Sequence, residues 1–451
     1  HHLGFFNNVG LSVHYSLSQL VPPTVLDLRH LIHLAVGKVV KKYRILSAIP
    51  VNEDAPDAYF ASLSSVDLSR SIKFLTRSQP WNDLGEGQDR ELDAILEDQH
   101  NTDFQIGYGT EPFWRIIVLQ SAEQKLDFTA AFIYHHAIGD GVSGLVFHKS
   151  FHDALEAFTS TPAACFTREE TVASKEDAMI LPALGQLHPL PINPEPPANA
   201  AESFHQWTGN CIQHPCKSRW TCFHLSPTVS KSFFLKCKQN ELSVTSVVSS
   251  TLATVLFDIL PPDVEALTCI IPINLRPWLQ LPREVGDDAL GTYFDATRVL
   301  FKRPEQIPKA PHSVDVWTAA RKVSSIVNDY LSNVSPSGEP YTAVSALETI
   351  PDVSAIFKPM IGKPRDAAFE VTNIGIFPTR ATPETSEASI WQVGKVVLSR
   401  SCLVTGAAVT VSVATGGDGS MTIGYSWQEG IVSDELVEEI NQRVGECLRE
   451  I

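Results

Sequence analysis

Hydrophobic spacing divides the chain into alternating stretches of strand and helix character. Val9–Leu17 reads as a strand, and a helix is predicted from about Val25 to Tyr43, where Leu28, Leu31, Ala35 and Val39 recur at helical spacing. Pro22-Pro23-Thr24 supplies a start signal, with Thr24 as the expected cap. Tyr59–Val66 and Ile72–Leu75 are expected to be short strands, Glu91–Gln99 a helix, and Phe113–Leu119 a strand entered through Glu111-Pro112. Leu126–Tyr134 (LDFTAAFIY) is apolar on both faces, which predicts an interior strand. It runs straight into His135-His136, and a helix is predicted from near Val142 to about Phe158.

Beyond Thr159 the periodicity dissolves as far as about Pro197, and Pro182, Pro189, Pro191, Pro194, Pro196 and Pro197 stiffen the later part into an extended connector. A long non-periodic segment of this kind marks a crossover between lobes. The expected division is therefore 1–158, a connector over 159–215, and 216–451. In the second half, Trp220–Leu225, Leu267–Ile273, Gly291–Phe301, Phe369–Phe377 and Trp391–Leu398 read as strands. Pro227–Asn240, Val244–Leu260 and Val314–Tyr330 read as helices, and a terminal helix starts at Ser433 with Leu436, Ile440, Val444 and Leu448 stacked. Ala408–Ala414 and Thr422–Trp427 alternate around Gly416-Gly417-Asp418-Gly419, a hairpin pattern. The mixture predicts an α+β protein with a mixed sheet and flanking helices in each lobe.

Composition narrows the function. A formal net charge of −16 argues against nucleic-acid or anionic-membrane binding, which needs a basic field, though it leaves room for a small basic pocket. The eight cysteines form no CxxC pair, and the Cys211–Cys216 gap does not suit a zinc ribbon, so reduced thiols of a cytoplasmic protein are expected. No apolar run is long enough to span a bilayer. The chain opens at His1 without a methionine, which leaves a targeting segment upstream open.

Residues 135–141 read His-His-Ala-Ile-Gly-Asp-Gly. A lone HxxxD arises often by chance. HHxxxDG between a buried strand and a helix start is specific, because the strand fixes position and the helix N-terminus supplies positive potential. Weaker signals surround it. Ser143 in GDGVSGL lacks a GxSxG context, and GGDG at 416–419 has neither GK[ST] nor a following helix. His148 with His152, and His30 with His33, have spacings compatible with a metal but no further ligands, so packing or surface roles and no metal are expected.

With FFNNVGLSVHYS, EPFWRIIVL, IPINLRPWL, VGDDALGTYF and FEVTNIGIF, the HHAIGDGVSG segment resembles the coenzyme A-dependent acyltransferase superfamily. That superfamily holds chloramphenicol acetyltransferase, the plant BAHD acyltransferases and the condensation domains of peptide synthetases. Within it the chain is most similar to the fungal alcohol acetyltransferases, including those of trichothecene biosynthesis. The resemblance implies two chloramphenicol-acetyltransferase-like lobes meeting at a central solvent channel, and a monomer. It implies acetyl-CoA or another acyl-CoA as co-substrate and a small-molecule alcohol, a fungal secondary metabolite, as acceptor.

It further implies His136 as the general base of a direct transfer without an acyl-enzyme, which suits a neutral imidazole near pH 7. His135 is left a positioning role. Spacing alone allows Asp140 to polarise the imidazole; the resemblance implies instead that it pairs with Arg276 of NLRPW and braces the loop. Gly139 and Gly141 let the backbone turn into the helix. Thr372 and Asn373, with Tyr293 and Gly141, are candidate oxyanion or substrate contacts. Lys358, Lys363 and Arg365 form the densest basic loop of the second half and are candidates for the coenzyme A phosphates. Two other readings remain open: an acyltransferase or condensation-type enzyme whose donor is a carrier protein, and a catalytically idle scaffold of the same fold.

Overall fold

The structure, a computed structural model, describes residues 3–5, 8–18, 27–55, 57–78, 87–122, 126–160, 170–174, 180–194, 204–304, 316–350, 352–378 and 389–451. The first half of the chain contributes β1 (Asn8–Leu17), β2 (Ala48–Val51), β3 (Tyr59–Ser62), β4 (Ser65–Asp67), β5 (Ile72–Thr76), β6 (Trp114–Gln120), β7 (Phe128–His135) and β8 (Thr171–Ala173). The second contributes β9 (Ser218–Leu225), β10 (Ala266–Asn274), β11 (Phe294–Lys302), β12 (Phe369–Ile376), β13 (Trp391–Arg400), β14 (Val409–Thr415) and β15 (Met421–Gln428).

These strands build a five-stranded sheet, β13-β1-β7-β6-β5, and a six-stranded sheet, β11-β10-β12-β14-β15-β9, while β2-β3 and β4-β8 form two small ladders. Both large sheets are mixed. In the first, β5 and β6 run parallel and the other pairs antiparallel. In the second, β12 runs parallel to β10 and β14. The two-faced apolar pattern of 126–134 has its expected consequence: β7 is the middle strand of the first sheet and is buried at every position.

Each sheet has its own hydrophobic core. The first is filled by the helices Leu28–Lys42 and Gly141–Thr159, the second by Val244–Ile259, Val316–Ser332 and Asp434–Glu450. The expected cap Thr24 lies outside the described residues; the helix Leu28–Lys42 begins on Asp27, whose carboxylate accepts the His30 N–H. Gly144 sets how closely its helix approaches β1, since a Cβ there would come within 2.7 Å of Leu11 Cβ. No single helix among the described residues is long and apolar enough to cross a membrane. The described cysteines form no disulfide.

One strand from beyond the expected division at 215 belongs to the first sheet. Strand β13 lies in the stretch assigned to the second lobe, yet it pairs with β1 from Leu17↔Trp391 to Val9↔Arg400. The chain therefore returns to complete the first sheet. Without β13, β1 would expose a row of unpaired N–H and C=O groups along one edge. Its last residue, Arg400, is thereby delivered to the seam between the sheets.

Candidate active site

Strand β7 ends at His135, and the turn after it leads to Asp140, which caps the helix Gly141–Thr159. The cap is reciprocal: Asp140 Oδ1 accepts the Ser143 N–H at 3.0 Å, and Ser143 Oγ accepts the Asp140 N–H at 3.2 Å. Gly139 leaves no room for a side chain, because a Cβ would lie 2.8 Å from Ser143 Cβ.

Asp140 is the hub of this turn. Its carboxylate accepts from Arg276 Nη1 at 2.8 Å, Arg276 Nη2 at 2.9 Å and the Tyr293 N–H at 3.0 Å. Both partners are buried, each 3% exposed. Arg276 also donates through Nε to Ala289 O, through Nη1 to Asn274 Oδ1, and through Nη2 to Gly291 O and Ser143 Oγ. All its N–H donors are engaged. Burial alone would favour the protonated acid, but the Arg276 guanidinium and the N–H groups of Tyr293 and Ser143 hold the Asp140 carboxyl below its usual pKa. Asp140 thus faces Arg276 from across the seam, and the loop 289–293 is stitched to the same hub.

The two histidines part company. His135 is buried edge-on against Phe113 and Phe104, and its Nδ1 accepts the Ala137 N–H at 3.2 Å, which tightens the turn. His136 is half-buried, lines a cavity between the sheets, and lies along the Phe294 ring at a centroid distance of 5.7 Å. Thr292 Oγ1 donates to its backbone carbonyl at 2.9 Å. Burial first, and then the charge of Arg400, push its pKa down to about 4; hydrogen bonding to the backbone at His136 and Gly139 and the Asp140 charge pull less strongly upward. The imidazole is therefore neutral at pH 7.

The cavity encloses about 770 Å³ of empty space, its open mouths included. Strand pleating explains its walls: Ile270, Pro272 and Asn274 of β10, and Glu370, Thr372 and Ile374 of β12, alternate onto the same side. Phe369 and Val371 turn the other way, into the second core. A register shift after Asn373 adds Asn373 to the wall beside Ile374. Phe294, Ala296, Val142 and Leu403 complete the apolar part, and Asp140, Gly141 and Arg400 complete the lining.

Of the residues singled out in the sequence, His136, Asp140, Gly141, Thr372 and Asn373 meet at this cavity, with Arg276 behind Asp140. Tyr293 does not: its ring packs 5.2 Å from the Arg276 guanidinium and its hydroxyl donates to Pro182 O. None of Lys358, Lys363 and Arg365 lines it. Lys358 and Lys363 are exposed, whereas Arg365 is buried and donates to Asn210 O and Gln428 Oε1, so its guanidinium serves the interior rather than a phosphate in solvent. The ring nitrogens of His148 are taken by Tyr15 Oη and Leu11 O, and His152 Nε2 by Trp391 O.

Sequence reasoning missed a second ion pair. Glu370 and Arg400 are buried at the cavity wall and joined by Arg400 Nη1 to Glu370 Oε1 at 2.5 Å. The available signal was a glutamate between Phe369 and Val371 in an apolar strand, and an arginine closing another.

Solved structures with this architecture include trichothecene 15-O-acetyltransferase TRI3 of Fusarium sporotrichioides, at a TM-score of 0.71 and 12% identity, with 99% of this chain and 92% of that one covered. The first condensation domain of the CDA synthetase superposes at a TM-score of 0.59 and 10% identity, covering 99% and 91%. The fold is thus that of the two-lobed acyltransferase and condensation-domain class. The alcohol acetyltransferase family model matches residues 76–196, the stretch that holds HHAIGDG. The probable alcohol acetyltransferase crmB of Aspergillus fumigatus is 56% identical over 98% of this chain and 95% of its own length. The chain belongs to the alcohol acetyltransferase family and is an enzyme of acyl transfer to an alcohol.

Proposed function

We propose that the protein moves an acetyl group from acetyl-CoA to a hydroxyl of a small secondary metabolite, with His136 as the general base. The observation that carries this reading is a neutral imidazole on the wall of an inter-sheet cavity, at the end of a buried strand, on a turn braced by a buried ion pair. A neutral imidazole carries a proton on only one ring nitrogen, and the other is the proton acceptor.

His136 takes the alcohol proton as the oxygen attacks the thioester carbonyl carbon, giving a tetrahedral oxyanion and an imidazolium. Collapse of that intermediate breaks the carbon–sulfur bond, and the imidazolium returns its proton to the departing thiolate. Ester and free thiol leave, and the histidine is neutral again. Asp140 and Arg276 act through the loop. With its carboxylate already accepting from Arg276, Ser143 and Tyr293, Asp140 is a brace rather than a proton relay. The apolar walls favour an acceptor with a largely hydrocarbon frame.

The test is thiol release from acetyl-CoA in the presence of a panel of apolar alcohols. Wild-type protein is expected to release thiol only with alcohol, and His136→Ala to lose at least about 10²-fold, the scale of a general base. Alcohol-dependent release that survives in His136→Ala would refute the assignment. Binding of acetyl-CoA without turnover would mean that the acceptor lies outside the panel. Absence of binding would point to a carrier-protein donor.

A further inference from the structure

Two buried arginine–carboxylate pairs bridge the sheets beside His136, and they differ in one respect. Arg276 spends every N–H on a protein acceptor. Arg400 is nearly as buried, at 8% exposure, but its hydrogen bonds all leave from Nη1: to Glu370 Oε1 at 2.5 Å and to Thr372 Oγ1 at 3.2 Å. Among the described residues, Nε and Nη2 have no acceptor. Nor are these nitrogens sealed in the protein, while Arg400 itself lines the cavity. A guanidinium has five donors in a rigid fork, so three N–H groups are left without an acceptor among the described residues.

The candidate side-chain donors on the same wall are at least partly engaged within the protein. The Thr372 hydroxyl donates to Glu370 Oε1 at 2.9 Å, and Asn373 Nδ2 donates to Thr245 Oγ1 at 3.2 Å, which leaves one amide hydrogen. Arg400 is also the charge that His136 feels most strongly. A cation beside a base that must become cationic is unfavourable on its own account. It becomes favourable when a negative oxygen forms between the two, so that charges alternate along guanidinium, oxyanion and imidazolium. Glu370 neutralises the arginine before reaction and, with Thr372, holds the fork in place, so little reorganisation is needed when the charge develops.

We propose that Arg400 is the oxyanion donor of this site, its Nε–H and Nη2–H groups holding the oxygen of the thioester carbonyl as the alcohol attacks. The proposal rests on the acyl-transfer reading with His136 as base. No proton moves to or from Arg400; the carbonyl oxygen gains negative charge as the new carbon–oxygen bond forms and loses it as the carbon–sulfur bond breaks.

The experiment compares wild type, Arg400→Lys, and the double variant Arg400→Gln/Glu370→Gln, which leaves no unpaired buried carboxylate. Initial rates are measured with acetyl-CoA and several alcohols that the wild type acetylates. The double variant is expected to lose about 10²–10³-fold in kcat, the scale of a lost oxyanion donor. Its KM values should change within about threefold, and the fold-loss should be the same for every alcohol. Arg400→Lys keeps the charge but not the fork and is expected to fall between the two. A kcat within about threefold of wild type in both variants would overturn the proposal. So would a loss confined to the KM of particular alcohols, which would make Arg400 a recognition residue for the acceptor. His136→Ala separates the two readings. If it stays active, the base assignment fails whatever Arg400 does; if it is inactive while the Arg400 variants work normally, only the present proposal fails.

Discussion

Asp140→Asn tests the brace under the active-site turn. Asparagine keeps the size of the side chain and is as good a helix cap as aspartate, so the bond from the Ser143 N–H survives. What is lost is the charge facing Arg276. The guanidinium keeps acceptors on Ala289, Gly291 and Asn274 but is left 3% exposed without a counter-charge, and one asparagine N–H now points at another donor. Breaking a buried pair in this way costs about 3–5 kcal/mol. With an unfolding entropy of about 2.1 cal/mol/K per residue over the 451 residues, that corresponds to a fall of about 3–5 °C in Tm if the chain unfolds as one unit. Thermal melting at pH 7 reads the single variant, and a cycle with Arg276→Met reads the coupling. The double variant, with neither charge buried, is expected to recover at least about 2 kcal/mol relative to the sum of the single losses. The sign of the pH dependence follows from the lowered carboxyl pKa: the contribution is present above the usual aspartate value of about 3.9 and is lost as pH falls through the folded one. A loss under about 1 kcal/mol in Asp140→Asn, or strict additivity in the cycle, would refute the reasoning.

Two further outcomes are expected. Because burial and Arg400 push His136 down to about 4, the neutral form persists well below the usual histidine value; kcat/KM should stay level down to about pH 5 and fall only below it as the imidazole takes up a proton. An acid limb centred at 6.5 or above would contradict this account. Gly144→Ala places a Cβ 2.7 Å from Leu11 Cβ and should destabilise the protein by about 1–3 kcal/mol in denaturant unfolding, although alanine has the higher helix propensity; a neutral or stabilising effect would show that the contact can relax.

Much of the site's local architecture was legible in the residues. A short apolar run without alternation, rich in aromatic and β-branched residues, reads as a strand buried on both faces, and β7 with its exit into His135-His136 matches that pattern. The helix after it followed from spacing, and the hairpin between β14 and β15 from clean alternation around four turn residues. These features depend on neighbours a few positions apart, which the sequence states directly. What only the tertiary structure decided is which distant segments meet. Strand β13 reads as one more strand of the second half, and its place beside β1 depends on an open edge nearly four hundred residues earlier in the chain. Glu370 and Arg400 look like isolated charges in apolar strands until two sheets are brought face to face, when each becomes the other's compensation for burial. Arg365 looks like part of a basic loop until its guanidinium is seen to turn inward to Gln428. Periodicity reports that a residue is buried or exposed, but not against what. The partner is settled by strand register and by the cost of leaving a buried charge or an edge N–H alone, and those costs are evaluated across the whole fold.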